Sequence, residues 1–396
     1  MPSSLRTPPN DGTDYICLHK LVQDTRACNK DVICDLLSSF SNKHILNRIL
    51  EHEIDGNTLL DTAIVTGNYV VVRALLKRAG SLCFVPLKQH TKSSLHKAIL
   101  AGNYDIFTVL LLFLRKYYKL IENWRDKHES FEEIIEWIDD NGNSPLLQAC
   151  LLPNRTQYVS SLLYNGANCA MYNRLNRRTC FMHAAIAGEI SYFKHLLRQQ
   201  VHTISYPSAL PRLSRYKCLP LETDINGDTV MHLAVKHYQL ETAQYLYKPG
   251  MYHPLLNNFN KENNSLVHLA VMNHSRTSSD RVIAMTQLAL QVERKSFLLY
   301  QKKNSYKSVI DTMVSYRKVI FALNNQGETP LTIARVASTD LYDLVLRASR
   351  DIYGDTNCAD SIGIAVDNEI NLTENDQGNS DDYAFALSPA KSHAQY

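Results

Sequence analysis

Seven times along this chain a hydroxyl residue is followed two places on by an apolar residue and five places on by alanine. The copies are Thr58–Ala63, Ser93–Ala98, Ser144–Ala149, Thr179–Ala184, Thr229–Ala234, Ser265–Ala270 and Thr329–Ala334. An apolar residue and an alanine three apart lie on one face of a helix, so each copy predicts a short helix with an inward stripe. The hydroxyl suits the N-cap, where its oxygen accepts from a first-turn N–H. Pro145 and Pro330 take the first helical position, where proline's missing N–H costs nothing. Gly67, Gly102 and Gly188 stand nine places after the hydroxyl and can end the helix at positive φ. A second apolar-periodic run then follows, as in Val70–Leu76, Ile106–Leu112 and Ile190–Leu197. The unit predicted is a helix pair, and neither helix can bury its stripe alone.

Hydroxyl-to-hydroxyl steps are 35, 51, 35, 50, 36 and 64 residues. Three are close to one repeat length and three carry insertions, which in a solenoid fall in loops. The motif and its following glycine resemble the ankyrin repeat, whose signature is T-P-L-H-x-A. The resemblance covers roughly residues 53–347 and implies an all-α solenoid of stacked helix pairs with short β-hairpin fingers. The polar stretches 139–143, 224–228 and 324–328 match those fingers, with Gly142, Gly227 and Gly327 at their turns. Arg177 stands where the finger glycine belongs, which puts the turn at 174–178 in question. The resemblance also implies that His96, His232 and His268, at the motif's fourth place, bond to neighbouring finger backbone. His183 sits one place later and does not match.

Outside the repeats the pattern changes. Residues 1–13 read as a disordered leader, with Pro2, Pro8, Pro9 and Gly12. Apolar spacing at Ile33, Leu36, Leu37, Phe40, Ile45, Leu46, Ile49 and Leu50 makes 14–52 a helical N-terminal cap, and 53–350 the repeat domain. The insertion near 115–138 has helical spacing, open to readings as extra packing or a partner-binding helix pair. That near 199–222 holds Pro207, Pro211 and Pro220 without apolar periodicity and reads as a long loop. That near 292–322 contains Lys295, Lys302, Lys303, Lys307, Arg317 and Lys318 against Asp311 alone, with Tyr300, Tyr306 and Tyr316 between them and an amphipathic run at 309–314. Basic residues with aromatics mark either a solvated helix face or a nucleic-acid or anionic-lipid surface. Residues 351–396 hold nine acidic side chains and one basic one, Lys391, and read as a disordered tail whose charge suits the third insertion.

Composition adds bounds. The net charge of +3 selects no partner class, and the nine cysteines, an odd set without Cys-x-x-Cys spacing, favour free thiols in a reducing compartment. The opening residues precede no apolar run, so no signal peptide is expected, and no stretch approaches bilayer length. An intracellular, cytoplasmic monomer is the expectation, in a host cell if the chain is a delivered protein, with the nucleus left open.

No phosphate loop, metalloprotease helix or nucleophile elbow occurs, so no catalytic residue, cofactor or metal is assigned and a non-enzymatic reading leads. Cys150, Cys169 and Cys180 fall in adjacent repeats and could approach one another, and a cryptic Cys/His hydrolase among the insertions is the third-ranked alternative. The resemblance implies binding of a protein partner through a concave face made of fingertips and first helices. Carried over position by position, that face comprises Gln89, His90 and Lys92; Asp140, Asn141 and Asn143; Leu175, Asn176 and Arg178; Ile225, Asn226 and Asp228; and, on helices, Leu151, Leu152, Lys236 and His237. These finger positions are expected to carry no packing duty. The irregular insertions resemble those of ankyrin proteins that intracellular bacteria deliver into host cells. The second-ranked alternative is an adaptor to an anionic surface through 295–318.

Overall fold

A computed structural model describes residues 20, 22, 23, 50, 52–54, 56–79, 92–117, 131–203, 222–248, 259–272, 274, 278–303 and 319–354. Seven helix pairs follow in chain order. They are α1 (Leu59–Val65) with α2 (Tyr69–Ala79), and α3 (Ser94–Ala101) with α4 (Tyr104–Tyr117). After the lone short helix α5 (Phe131–Ile135) come α6 (Pro145–Leu151) with α7 (Thr156–Tyr164), and α8 (Cys180–Ala187) with α9 (Ile190–Thr203). Then come α10 (Val230–Lys236) with α11 (Leu240–Tyr247), α12 (Leu266–Met272) with α13 (Ser279–Lys303), and α14 (Pro330–Ala337) with α15 (Thr339–Tyr353).

First helices pack on first helices through the whole series α1, α3, α6, α8, α10, α12, α14, and second helices on second helices. The result is one continuous stack. Every motif alanine is fully buried: 63, 98, 149, 184, 234, 270 and 334. Alanine is what lets paired helices approach, so a leucine there overpacks the stack at about 1–3 kcal/mol.

The cap chemistry holds at every copy. Thr58, Ser93, Ser144, Thr179, Thr229 and Thr329 each accept from the backbone N–H three residues on. Ser265 does the same from His268 at 3.3 Å. Each cap contributes about 1 kcal/mol. Gly67, Gly102 and Gly188 take the left-handed conformation after the first helix, at φ +72°, +75° and +77°. Asn154 and Tyr238 hold comparable turns at φ +58° and +54°. A bulky residue there is a backbone outlier. Tyr238 is anchored by its hydroxyl, which donates to the Ala270 carbonyl of the next unit at 2.9 Å.

Three expectations change. The β-hairpin fingers reduce to isolated bridges, Ile54 with Asn57 and Tyr172 with Thr179, and no strand forms among the described residues. The proline-rich loop begins later than 199, because α9 continues to Thr203. The third insertion opens as ordinary helix, for α13 runs unbroken through 292–303. Its extra turns are packed: Glu293 is buried and accepts from the Tyr353 hydroxyl at 2.5 Å, and Phe297 meets Tyr353 edge-on at 5.3 Å. The run at 309–314, the leader, the tail beyond 354 and nearly all of 14–52 lie outside the described residues.

Candidate functional site: the finger face

Between each second helix and the next first helix the chain makes a tight polar turn, and all five complete turns from 139 to 328 share one construction. An Asp or Asn opens each: Asp139, Asn173, Asp224, Asn260 and Asn324. Its side-chain oxygen accepts two backbone N–H groups of its own turn. For Asp224 these are Asn226 and Asp228, at 2.8 and 3.0 Å; for Asn260, Glu262 and Asn264, at 3.0 and 2.9 Å. A left-handed residue closes each turn: Gly142, Arg177, Asn263 and Gly327 in their fingers, and Gly227 in the fifth. Arg177, at φ +59°, therefore does the glycine's work, with one extra residue in its turn.

Neighbouring fingers are joined through main-chain atoms. The N–H of Arg174 donates to Gly142, Ile225 to Asn176, Lys261 to Asn226 and Asn325 to Glu262, at 3.4, 2.9, 2.9 and 2.9 Å. Side chains bond across the same gaps. Asn173 Nδ2 donates to Asn143 Oδ1 at 2.7 Å, Asn260 Nδ2 to Asp228 Oδ1 at 2.9 Å, and Asn324 Nδ2 to Asn264 Oδ1 at 3.3 Å. Between 173–178 and 224–228 the link is ionic: Arg178 Nε donates to Asp224 Oδ2 at 3.1 Å.

Two of the three motif histidines brace this row from beneath, while among the described residues the bond expected from His232 Nε2 to finger backbone does not form. His96 and His268 donate from Nε2 to the carbonyls of Asn143 and Glu328, at 2.9 and 3.2 Å. Because a carbonyl only accepts, Nδ1 is the bare nitrogen and takes the cap hydroxyl of Ser93 or Ser265, at 2.7 and 2.8 Å. Thr229 bonds His232 Nδ1 in the same way at 2.7 Å. Burial keeps His96 below the usual imidazole range, the bond to Asn143 opposing. His183, out of register, is also structural: its Nδ1 donates to the Leu147 carbonyl at 3.0 Å, and burial pushes its pKa down to about 4.

Of the residues carried over from the resemblance, Asp140, Asn141, Leu175, Ile225, Asn226 and His237 are exposed. Lys92 and Asn176 are half-buried. Leu175 and Ile225 stand 63% and 47% exposed on adjoining fingers, the Leu175 side chain lying over Gly142. The others are otherwise engaged. Asn143 and Asp228 are buried, since they are the acceptors of the cross-finger bonds, and Lys236 is committed to Asp228 at 3.3 Å. Arg178 is tied to Asp224. Leu151 and Leu152 are half-buried at the helix end, where the Leu152 carbonyl takes the Tyr192 hydroxyl. The expectation that finger positions carry no packing duty therefore fails at Asn143, Arg178 and Asp228. A signal was available: the residue before each cap is polar in every finger (143, 178, 228, 264, 328), which an unconstrained surface position need not be. Sequence reasoning missed Arg174 and Arg177, two exposed cations flanking Leu175.

Gln89, His90, Lys302, Lys303, Lys307, Arg317 and Lys318 lie outside the described side chains. Lys295, the one described member of the basic set, sits half-buried over the Tyr247 ring at 4.8 Å.

Two thiols of the buried cluster, Cys169 and Cys180, are held away from the thiolate form. Cys150, Cys169 and Cys180 are free and buried. Burial and then the nearby Cys180 raise Cys169 to about 11, while the hydrogen bond with Cys150 and then burial hold Cys180 well above the usual thiol range. A nucleophilic cysteine needs the reverse shift, toward thiolate. No group of His, Cys, Asp and Glu able to hold a metal occurs among the described residues. No described helix is long and apolar enough to cross a membrane.

Against known proteins, the family model for ankyrin repeats matches residues 146–254 as three copies. This stretch is ankyrin repeat, and the helix pairs on either side repeat its caps, buried alanines and turns. No curated protein matches the chain. Among solved structures, the human ASB11 ankyrin repeat domain aligns at 15% identity over 74% of this chain and 98% of that one, with a TM-score of 0.42, too loose to carry an argument.

Proposed function

We propose that this chain is a non-catalytic scaffold that captures a protein partner on its finger face, centred on the fingers at 173–178 and 224–228. Ankyrin repeats are protein-interaction modules, and one observation supports the choice of surface: two apolar side chains, Leu175 and Ile225, stay exposed on fingers whose backbones are bonded to each other. Exposed apolar groups on a pre-ordered frame lose little further entropy on binding. Arg174 and Arg177 flank Leu175, so the fitting partner presents an apolar side chain beside acidic ones. Asp140, Asn141 and Asn226 form the polar rim.

The reading dispenses with Asn143, Asp228 and Lys236 as contacts, because the fold already uses them. The anionic-surface alternative through 295–318 gains no support from Lys295, its one described basic side chain, which lies half-buried over Tyr247. The test is capture by the full chain, with bound proteins identified, comparing the wild type with the pair Leu175→Asp and Ile225→Asp. The scaffold reading expects a specific protein to be lost at least tenfold from the variant while circular dichroism melting is unchanged. Undiminished capture would refute the finger face.

A further inference from the structure

The charge of this protein is divided. The whole chain carries +3, and residues 351–396 carry nine acids against Lys391, or −8, which leaves +11 on residues 1–350. Part of that excess is laid out in a row. Second helices stack on one another, so their C-terminal ends follow one edge of the solenoid. Along it stand Lys77 at the end of α2, Lys116 on α4, Arg198 on α9, Lys248 capping α11, Arg294 on α13 and Arg350 on α15, all exposed. Position 294 belongs to this edge because Lys295 covers Tyr247 at the end of α11 and Glu293 meets Tyr353 at the end of α15. The unit lacking a cation, at α7, is reached by Arg115, whose Nη1 donates to Asn165 at 3.1 Å. None of the six pairs with a carboxylate among the described residues. Three acids stand near the row: Glu293, buried against Tyr353; Asp351, next to Arg350; and Glu136, which accepts from the Asn168 N–H at 3.1 Å.

A helix dipole accounts for a cation in one last turn. Six of like sign along one edge make an extended positive field that calls for an extended anion. The chain supplies one. Gly354, whose N–H donates to the Arg350 carbonyl at 2.8 Å, ends α15 at this same edge, and 42 residues follow it, 355–396, with acids at 355, 360, 367, 369, 374, 376, 381 and 382. At about 3.3 Å per residue the stretch from 354 to 382 reaches up to ~90 Å. Helices packed about 8–10 Å apart put α2 about 50–60 Å from α15. The charge, reach and exit point fit together. We infer that the acidic tail of this chain lies in cis along the basic edge formed by the ends of the second helices, shielding it from other polyanions. This surface is distinct from the fingertips, so the inference does not rest on the proposed function.

The test uses the full chain. Zero-length carbodiimide coupling followed by peptide mapping should join carboxylates of 355–382 to Lys77, Lys116 and Lys248 at low salt, and lose those links at 0.5 M NaCl, where screening is nearly complete. In a mixture of isotopically light and heavy chains the links should be light–light and heavy–heavy. A full-length variant with the eight acids changed to Asn or Gln should elute from a heparin column at clearly higher salt than the wild type. The inference is overturned by links confined to lysines 302–318, by light–heavy links, which would mark a second copy as the occupant, or by equal heparin elution.

Discussion

The fourth and fifth units each depart once from the left-handed glycines that shape this fold, and at opposite ends. The fourth has Arg177 in its finger and Gly188 between its helices; the fifth has Gly227 in its finger and Tyr238 between its helices. The backbone reaches the same conformation both ways, so the turn is imposed by bonding around it and not by the residue. The Arg177 N–H donates to Asn173 at 2.8 Å, and the Tyr238 N–H to Val235 at 3.0 Å. What differs is the room left for a side chain. A Cβ on Gly227 would stand 2.9 Å from the Lys261 backbone nitrogen, whereas one on Gly188 would meet the movable end of Gln239.

That contrast can be broken most severely at the finger bases. Asp224 takes two N–H groups and the Arg178 guanidinium while buried, so Asp224→Ala should cost about 3–5 kcal/mol in urea unfolding by stranding a charge. Asn173→Ala removes neutral bonds and should cost about 1–3 kcal/mol. Equal costs would show that the ionic link between the two fingers contributes nothing.

The out-of-register histidine of the fourth unit supplies the next contrast. The unfolded chain protonates an imidazole near pH 6.5, the folded chain only near 4 at His183. Between those values the unfolded state binds more protons, so stability should fall as pH drops from about 6.5 to 4 and level off below. The shift corresponds to about 3 kcal/mol. His183→Gln should shallow that fall in thermal melts across the same window; an unchanged slope would assign the acid sensitivity elsewhere.

Smaller effects sharpen the glycine comparison. Gly227→Ala should cost about 2–3 kcal/mol, combining left-handed strain with a backbone clash, and Gly188→Ala about 1–2 kcal/mol from strain alone. Arg177→Gly should fall within about 1 kcal/mol of neutral, because relief of strain is offset by the greater freedom of the unfolded chain. If Gly188→Ala proves the worse substitution, the argument from a backbone clash at Gly227 is wrong.

These units also show what was legible beforehand. Caps and alanines follow from local spacing and the His-to-finger bond from the family resemblance; the structure bears them out at Thr229, Ala234 and His268, whereas His232 Nε2 reaches no finger carbonyl among the described residues. Burial of Asn143 and Asp228 was not read, because it depends on partners at Asn173 and Asn260, 30 and 32 residues away. Tyr238 was invisible for the same reason, its hydroxyl being anchored on Ala270 in the next unit. The exposed face was only partly legible. Repeat register located Leu175 and Ile225, but nothing local separates a free fingertip from one spent on its neighbour.

The finger row is held by main-chain atoms, and main-chain atoms do not mutate. Whatever side chains drift through positions 174, 225, 261 and 325, the donors and acceptors that join one finger to the next persist. Such a scaffold can therefore change its displayed residues, and its cap-to-cap step can run from 35 to 64 residues, without altering the frame. The family model matches three copies within 146–254, while the stack holds seven helix pairs.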